Sequence, residues 1–106
     1  VMQPTCEGRL PYLYLKPGEE EAVRQYFEHA WPGQFSLITR QQVLDSGLLG
    51  RGTSHSDLEN RIGDLAAIPH GKAYLWWVNK PNVMRGRHGG LHPDEMLVPL
   101  YALSLD

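Results

Sequence analysis

The amino-acid sequence predicts an α+β fold, in which two or three helices accompany a small, mostly antiparallel sheet in a single domain of residues 1–106. Three observations lead to this prediction. Short apolar segments are separated by turn residues such as Pro17-Gly18 and Pro69-His70-Gly71. One longer segment carries apolar residues at helical spacing. The connections are short, and no internal repeat or interior linker divides the chain.

The first third of the chain predicts one strand and one helix. Val1 to Arg9 shows no clear period, whereas Leu10 to Lys16 alternates Tyr and Leu, which is typical of a strand. Glu19 to Glu21 place negative charge in the first turn of a helix, where the helix dipole favours it. This helix ends at Pro32-Gly33. Its apolar stripe consists of Ala22, Val23, Tyr26, Phe27, Ala30 and Trp31.

The middle of the chain predicts a short strand, a brief helix and a loop. Phe35 to Ile38 is the strand. Thr39 and Gln42 have the spacing of a capping box, and Gly47 is placed to end the helix that follows. Leu48 to Asn60 is rich in Gly and Ser and predicts a long loop near a surface or a site.

The last third predicts three more strands. Asp64 to Ile68 is apolar, and Lys72 to Val78 is dense in aromatic residues, so the two are expected to form an antiparallel pair. Asn79 to Arg87 is a polar loop. After a single helical turn that starts at Pro93, Val98 to Leu103 predicts a final strand at the edge of the sheet.

The composition limits the function classes. A formal net charge of −2 argues against a nucleic-acid duplex as the main partner. No apolar run approaches membrane-spanning length and no leader peptide is visible, so we expect no membrane partner and a cytoplasmic location. Cys6 is the single cysteine, which excludes an internal disulfide. Because the chain begins at Val1 rather than at Met, we expect it to be a segment of a longer polypeptide.

The C-terminal region combines motifs that resemble those of a known family. His88-Gly89-Gly90-Leu91 is followed by Pro93-Asp94-Glu95-Met96 and Val98-Pro99-Leu100. These motifs resemble the C-terminal signature of the alkaline phosphatase superfamily, and especially of its type I phosphodiesterase/nucleotide pyrophosphatase branch. Gly8–Leu15 and Arg61–Leu65 fit the same branch, so the resemblance covers most of the chain. At His92 the family more often has a small hydroxyl residue.

This resemblance implies that the chain is the C-terminal subdomain of an alkaline-phosphatase-like hydrolase. It also implies that His88 is a ligand of one of two divalent metal ions, which we expect to be zinc. The other ligands and a Thr or Ser nucleophile would lie upstream of the matched region. We therefore expect this chain alone to hold no metal and to be inactive. Its partner would be the remainder of the catalytic domain, and the substrate would be a phosphate ester or a nucleotide.

The other residues with metal-binding or catalytic chemistry have simpler interpretations. One His in a Gly-rich loop is ordinarily solvated, and the family motif alone singles out His88. His92 lies four positions later, but the glycines make a shared helix face improbable, so we expect His92 to cap the turn at Pro93. The pair His55 and Asp57 is expected to be solvated. Asp94 and Glu95 are attributed to helix N-terminal charge, and Cys6, His29 and His70 are given no site role.

Two alternatives stay open for the charged and aromatic residues near His88. Arg85 and Arg87 either are solvated or hold a phosphate beside His88. Tyr74, Trp76 and Trp77 either pack in the core and at an interface or form the binding face of a free-standing α+β interaction module, which is the alternative function. If the chain belongs to a larger enzyme, we expect His88 to lie at the surface. We also expect an exposed apolar edge at Trp76–Val78 or Val98–Leu103, or self-association that covers it.

Overall fold

The computed structural model describes residues 3–105 and confirms the α+β class. Within these residues it contains four strands and four helices. The strands are β1 (Thr5–Glu7), β2 (Leu10–Leu13), β3 (Phe35–Thr39) and β4 (Leu65–Pro69). The helices are α1 (Glu20–Ala30), α2 (Arg40–Asp45), α3 (Leu58–Arg61) and α4 (Pro93–Met96). No helix in the described part of the chain is long and apolar enough to cross a membrane.

The four strands form one antiparallel sheet in the order β1-β2-β4-β3. The mostly antiparallel sheet is therefore confirmed. β1 and β2 form a hairpin in which Glu7 pairs with Leu10, so Gly8 and Arg9 are its two-residue connection. β4 lies between β2 and β3 and is paired with both of them. The sequence did not predict β1.

Each face of the sheet packs against a helix. Because side chains alternate along a strand, neighbouring residues of β4 enter different clusters. Phe27 of α1 packs on one face with Leu13, Leu65 and Ala67. Val43 of α2 packs on the other face, in a cluster with Leu10, Tyr12, Ile62 and Ala66. Val43, Leu65, Ala66 and Ala67 are fully buried. The sheet between two helical layers is therefore the core on which the rest of the chain is built.

The helices follow the local signals in the sequence. α1 begins one residue after Glu19, and its Phe27 is buried against the sheet. α2 has the predicted capping box: Thr39 Oγ1 accepts from the backbone N–H of Gln42, and Gln42 Oε1 accepts from the backbone N–H of Thr39. Gly47 follows α2 with a φ of +72°, as the predicted end of the helix requires. α3 was not predicted, since it lies at the end of the expected loop.

Two predicted strands are absent from the described residues. Lys72 to Val78 was expected to pair with the preceding strand, but β2 and β3 already occupy both sides of β4. The segment instead runs past the β1–β2 hairpin, where the backbone N–H of Leu75 donates to Gly8 O over 2.8 Å. A Cβ on Gly8 would lie 2.5 Å from Leu75 O, so only glycine permits this approach.

Val98 to Leu103 is the second wrong strand prediction. Its backbone joins no sheet, and its large apolar side chains are 80–93% exposed. Leu97 and Leu105 continue this exposed apolar segment on either side, at 78% and 88%. The radius of gyration is 16.2 Å, compared with about 13 Å expected for a compact chain of this length. The apolar surface expected at this segment is therefore observed, although the segment is extended chain and not a strand.

Candidate functional site

The candidate site is organised by a buried ion pair between the hairpin turn and the C-terminal helical turn. Arg9 is 4% exposed, although it is charged. Its Nε donates to Glu95 Oε1 over 2.9 Å, and its Nη2 donates to Glu95 Oε2 over 2.6 Å. This two-point geometry matches the planar guanidinium to the carboxylate, which makes it stronger and more directional than a single contact.

Arg9 also fixes the chain that follows β4. Its Nη1 donates to the backbone carbonyls of Gly71 and Ala73. One side chain therefore joins three parts of the structure, namely the hairpin turn, residues 71–73 and helix α4. Because the guanidinium is buried, each of these bonds offsets part of the cost of removing the charge from water.

The ion pair changes the acidity of both partners. The hydrogen bond from Arg9 holds the pKa of Glu95 below its usual value, and the positive charge of Arg9 acts in the same direction. Backbone hydrogen bonds from residues 90 and 92 lower it further, whereas burial acts in the opposite direction. The same side-chain hydrogen bond raises the pKa of Arg9. The two side chains therefore remain charged throughout the neutral range.

The ion pair also fixes the glycine-rich loop. Glu95 Oε1 accepts from the backbone N–H of Gly90 over 3.3 Å. A Cβ on Gly90 would lie 2.5 Å from Glu95 Oε2, so the carboxylate occupies the space that any side chain would need. Gly89 has a φ of +84°, which L-residues rarely adopt. The two glycines are thus required for the path that presents His88.

His88 lies at the surface, as expected from the sequence. Its side chain is 73% exposed, and its Nε2 lies 3.9 Å from Glu7 Oε2 in β1. This separation allows an electrostatic contact but is longer than a hydrogen bond. The ring lines a cleft of about 300 Å³ together with Tyr74 and Trp76. His88 is therefore accessible and is not a buried structural histidine.

Within the described part of the chain, His88 has too few neighbouring donor groups for a complete metal site. Among residues 3–105, no group of three or more His, Cys, Asp or Glu side chains is arranged to hold an ion. His88 and Glu7 supply two donor groups at most, whereas a catalytic zinc needs about three protein ligands. His88 therefore fits a metal only if other ligands come from outside this part of the chain.

His92 caps helix α4, as predicted. Its Nδ1 accepts from the backbone N–H of Asp94 over 3.3 Å, and Pro93 occupies the first helical position. The chain from His88 to His92 is not helical, so the two imidazoles do not share a helix face. The expected absence of a helix between His88 and His92 is confirmed.

The remaining candidates have local structural roles. The backbone N–H of Asp57 donates to His55 Nδ1, while the carboxylate of Asp57 binds Asn60 and Arg61. These bonds lower the pKa of Asp57, the bond from Asn60 most strongly. His70 Nε2 is hydrogen-bonded to Ser36 Oγ at 2.7 Å. Cys6 is a free, exposed thiol. These residues do not join the region around His88.

A cleft of about 690 Å³ lies beside the Arg9–Glu95 pair. Lys72, Arg85 and Arg87 line it, together with Tyr74 and Asp94. The guanidinium carbon of Arg87 lies over the Tyr74 ring, 4.5 Å from its centroid. The structure thus brings Arg85 and Arg87 together with a third cation, Lys72, which the sequence analysis did not select.

The ion pair between Arg9 and Glu95 was also not predicted from the sequence. The sequence favours helix N-terminal charge as the role of Glu95 and contains Arg9 only within the motif Gly8–Leu15. The sequence carried no clear signal for this contact, because β1 was not predicted and Glu95 lies 86 positions from Arg9. The three aromatic residues of the segment 74–77 differ in exposure. Tyr74 and Trp76 are 39% and 43% exposed, whereas Trp77 is half-buried.

Comparison with known proteins does not extend this description. No protein-family model matches the chain, and no curated protein or solved structure matches it significantly.

Proposed function

We propose that this chain is one part of a metal-dependent phosphoric-ester hydrolase, to which it contributes His88 as a metal ligand. The observation that carries the proposal is an accessible imidazole on a loop whose backbone is held by buried charges. His88 is 73% exposed, and the loop after it is bonded to Glu95, which Arg9 fixes. A ligand that is held in place before the ion binds loses less conformational freedom on binding.

The residues around His88 have distinct roles in this proposal. Two divalent ions, which we propose to be zinc, supply charge stabilisation for the phosphoryl oxygens and activation of the attacking hydroxyl when bound. His88 donates one ring nitrogen to an ion. Glu7, whose carboxylate faces His88 Nε2, orients the ring. Arg9 and Glu95 keep the loop in position.

The site is completed by groups outside this chain. His88 and Glu7 provide too few ligands for two ions, and the nucleophile has no candidate near them. The partner in this proposal is therefore the remainder of the catalytic domain, and the substrate is a phosphate ester or a nucleotide. The exposed apolar residues from Leu97 to Leu105 provide a surface that this partner would cover.

The purified chain should be catalytically inactive by itself. We expect no turnover of nitrophenyl phosphate or bis-nitrophenyl phosphate, with or without added Zn²⁺, because the ligand set is incomplete. Hydrolysis is followed by nitrophenolate absorbance, with His88→Ala as the matched variant. Robust hydrolysis that His88→Ala abolishes would show that this chain contains a complete site. It would contradict the proposal that the other metal ligands and the nucleophile lie outside this chain.

The exposed side of residues 74–78 favours a second candidate function. Tyr74, Trp76 and Val78 are each about two-fifths exposed and share one side of an extended segment. In this alternative the chain is a free-standing interaction module that binds a partner through this face. The coding region distinguishes the two candidates: an upstream region in the same frame with Asp- and His-containing ligand motifs supports the hydrolase, and an independent start codon supports the module.

A further inference from the structure

The cleft beside the Arg9–Glu95 pair carries more positive charge than its surroundings. Ten Lys and Arg residues are present in the chain. Within residues 3–105 four of them form ion pairs with Asp or Glu, namely Arg9, Arg24, Arg40 and Arg61. Of the six others, Lys72, Arg85 and Arg87 all line this one cleft. Within residues 3–105, none of these three has a carboxylate partner.

We propose that this cleft binds a small dianionic oxyanion, of the phosphoryl or dicarboxylate type, at a site separate from His88. Arg9 and Glu95 also line the cleft, but they neutralise each other. Asp94 then opposes three free cations, which leaves an excess of two positive charges. The surplus matches the charge of a phosphoryl group or a dicarboxylate at neutral pH.

Arg87 is already held in a fixed position in the cleft. Its guanidinium lies over the Tyr74 ring, and its Nη1 donates to the backbone carbonyls of Met84 and Gly86. In the described part of the chain Nη2 of Arg87 has no acceptor, so it is free to bind an anion. A guanidinium that is held in place loses little side-chain entropy when it binds.

The backbone that carries Lys72 is also fixed. The carbonyls of Gly71 and Ala73, on either side of Lys72, both accept from Arg9. Arg9 therefore holds the backbone on both sides of Lys72 at one wall of the cleft. The cleft volume of about 690 Å³ leaves room for a substituent attached to the anionic group.

The test is a titration of the ¹⁵N-labelled chain followed by NMR, in metal-free buffer at pH 7.5 and constant ionic strength. The probes are inorganic phosphate and succinate. We expect saturable shifts of the amides of residues 72–74 and 85–87, with a Kd on the order of 1 mM. Lys72→Ala and Arg85→Ala should each weaken binding about tenfold, because each removes a charge-assisted hydrogen bond.

Arg51→Ala is the matched control, because Arg51 is an exposed arginine that does not line the cleft. Arg51→Ala and His88→Ala should both leave the Kd unchanged. Preference for phosphate or for succinate identifies the type of oxyanion, and either result agrees with the proposal. Shifts that do not saturate, or an equal effect of Arg51→Ala, would overturn it. Loss of binding in His88→Ala would also overturn it, since the anion would then lie at His88. None of these outcomes depends on a metal, so the hydrolase proposal is tested separately.

Discussion

Arg9 and Glu95 are 86 positions apart in the sequence and form the contact on which the candidate site depends. The pair is nearly removed from solvent, with side-chain exposures of 5% and 15%. Desolvation makes such a pair costly to form, but leaving either charge without its partner costs more. The pair therefore specifies which segments meet, because misplacing any of them would leave a buried charge unsatisfied.

Removing one partner of this pair should destabilise the fold. Arg9→Ala leaves the Glu95 carboxylate without the two donors that Arg9 supplies, and we expect a loss of about 3 kcal/mol in the free energy of unfolding. Glu20→Gln removes an exposed i,i+4 ion pair and should change stability by less than about 0.5 kcal/mol. Urea denaturation measures both. Equal effects of the two substitutions would show that the buried pair is unimportant.

The same ion pair should make the stability of the fold depend on pH in the acid range. The pKa of Glu95 in the folded chain is lower than its usual value of 4.5. The stability that its negative charge contributes to the fold is therefore complete above pH 4.5. It is lost as the pH falls through the lowered pKa. Glu95→Gln removes this titration, so its stability should change less with pH on the acid side than that of the wild type.

At the scale of elements, local signals predicted local structure. Helix α1, the capping box of α2 and the cap at Pro93 follow from residues within one or two helical turns of each other. The wrong predictions concern pairing between distant segments. Lys72 to Val78 has the composition of a strand, but pairing also requires a free strand edge, and β4 has none.

The loop that carries His88 depends on one glycine in particular. In Gly90→Ala the new Cβ would meet a carboxylate that Arg9 holds on two sides, so the carboxylate cannot move away without weakening the ion pair. We expect a loss of about 2 kcal/mol in the free energy of unfolding. In Gly86→Ala the new Cβ meets no atom within 4 Å, and stability should be nearly unchanged. Similar thermal denaturation midpoints for the two variants would contradict this role of Gly90.

At the scale of the whole molecule, the sheet and its two helical layers form the core, while the region around His88 is attached at one end of the hairpin. The sequence singled out His88 by its motif alone, and Arg85 and Arg87 because they are close to it in the chain. It could not identify Lys72, Arg9 or Glu95 as their neighbours, because contacts of that kind arise only when distant segments are folded together. The C-terminal segment remains uncovered, with Leu100 93% exposed.

The exposed C-terminal segment should make the isolated chain self-associate. Residues 97–105 carry six large apolar side chains and no charge, and such a surface is unfavourable in water. We expect a concentration-dependent increase in mass by analytical ultracentrifugation. The double substitution Leu100→Asp and Leu103→Asp should keep the chain monomeric. Leu49→Asp is the control, because Leu49 is an exposed leucine in a loop outside this segment, and this variant should self-associate like the wild type. A wild-type chain that is monomeric at all concentrations would contradict this expectation.

The most direct test of the proposed role of His88 is the metal content of the longer protein proposed to contain this chain, measured by elemental analysis together with its phosphatase activity. We predict that His88→Ala lowers metal occupancy at one of the two sites and reduces activity by orders of magnitude. His29→Ala, an exposed histidine on helix α1, is the control and should change neither quantity. Unchanged metal content and activity in His88→Ala would contradict the assignment of His88 as a metal ligand.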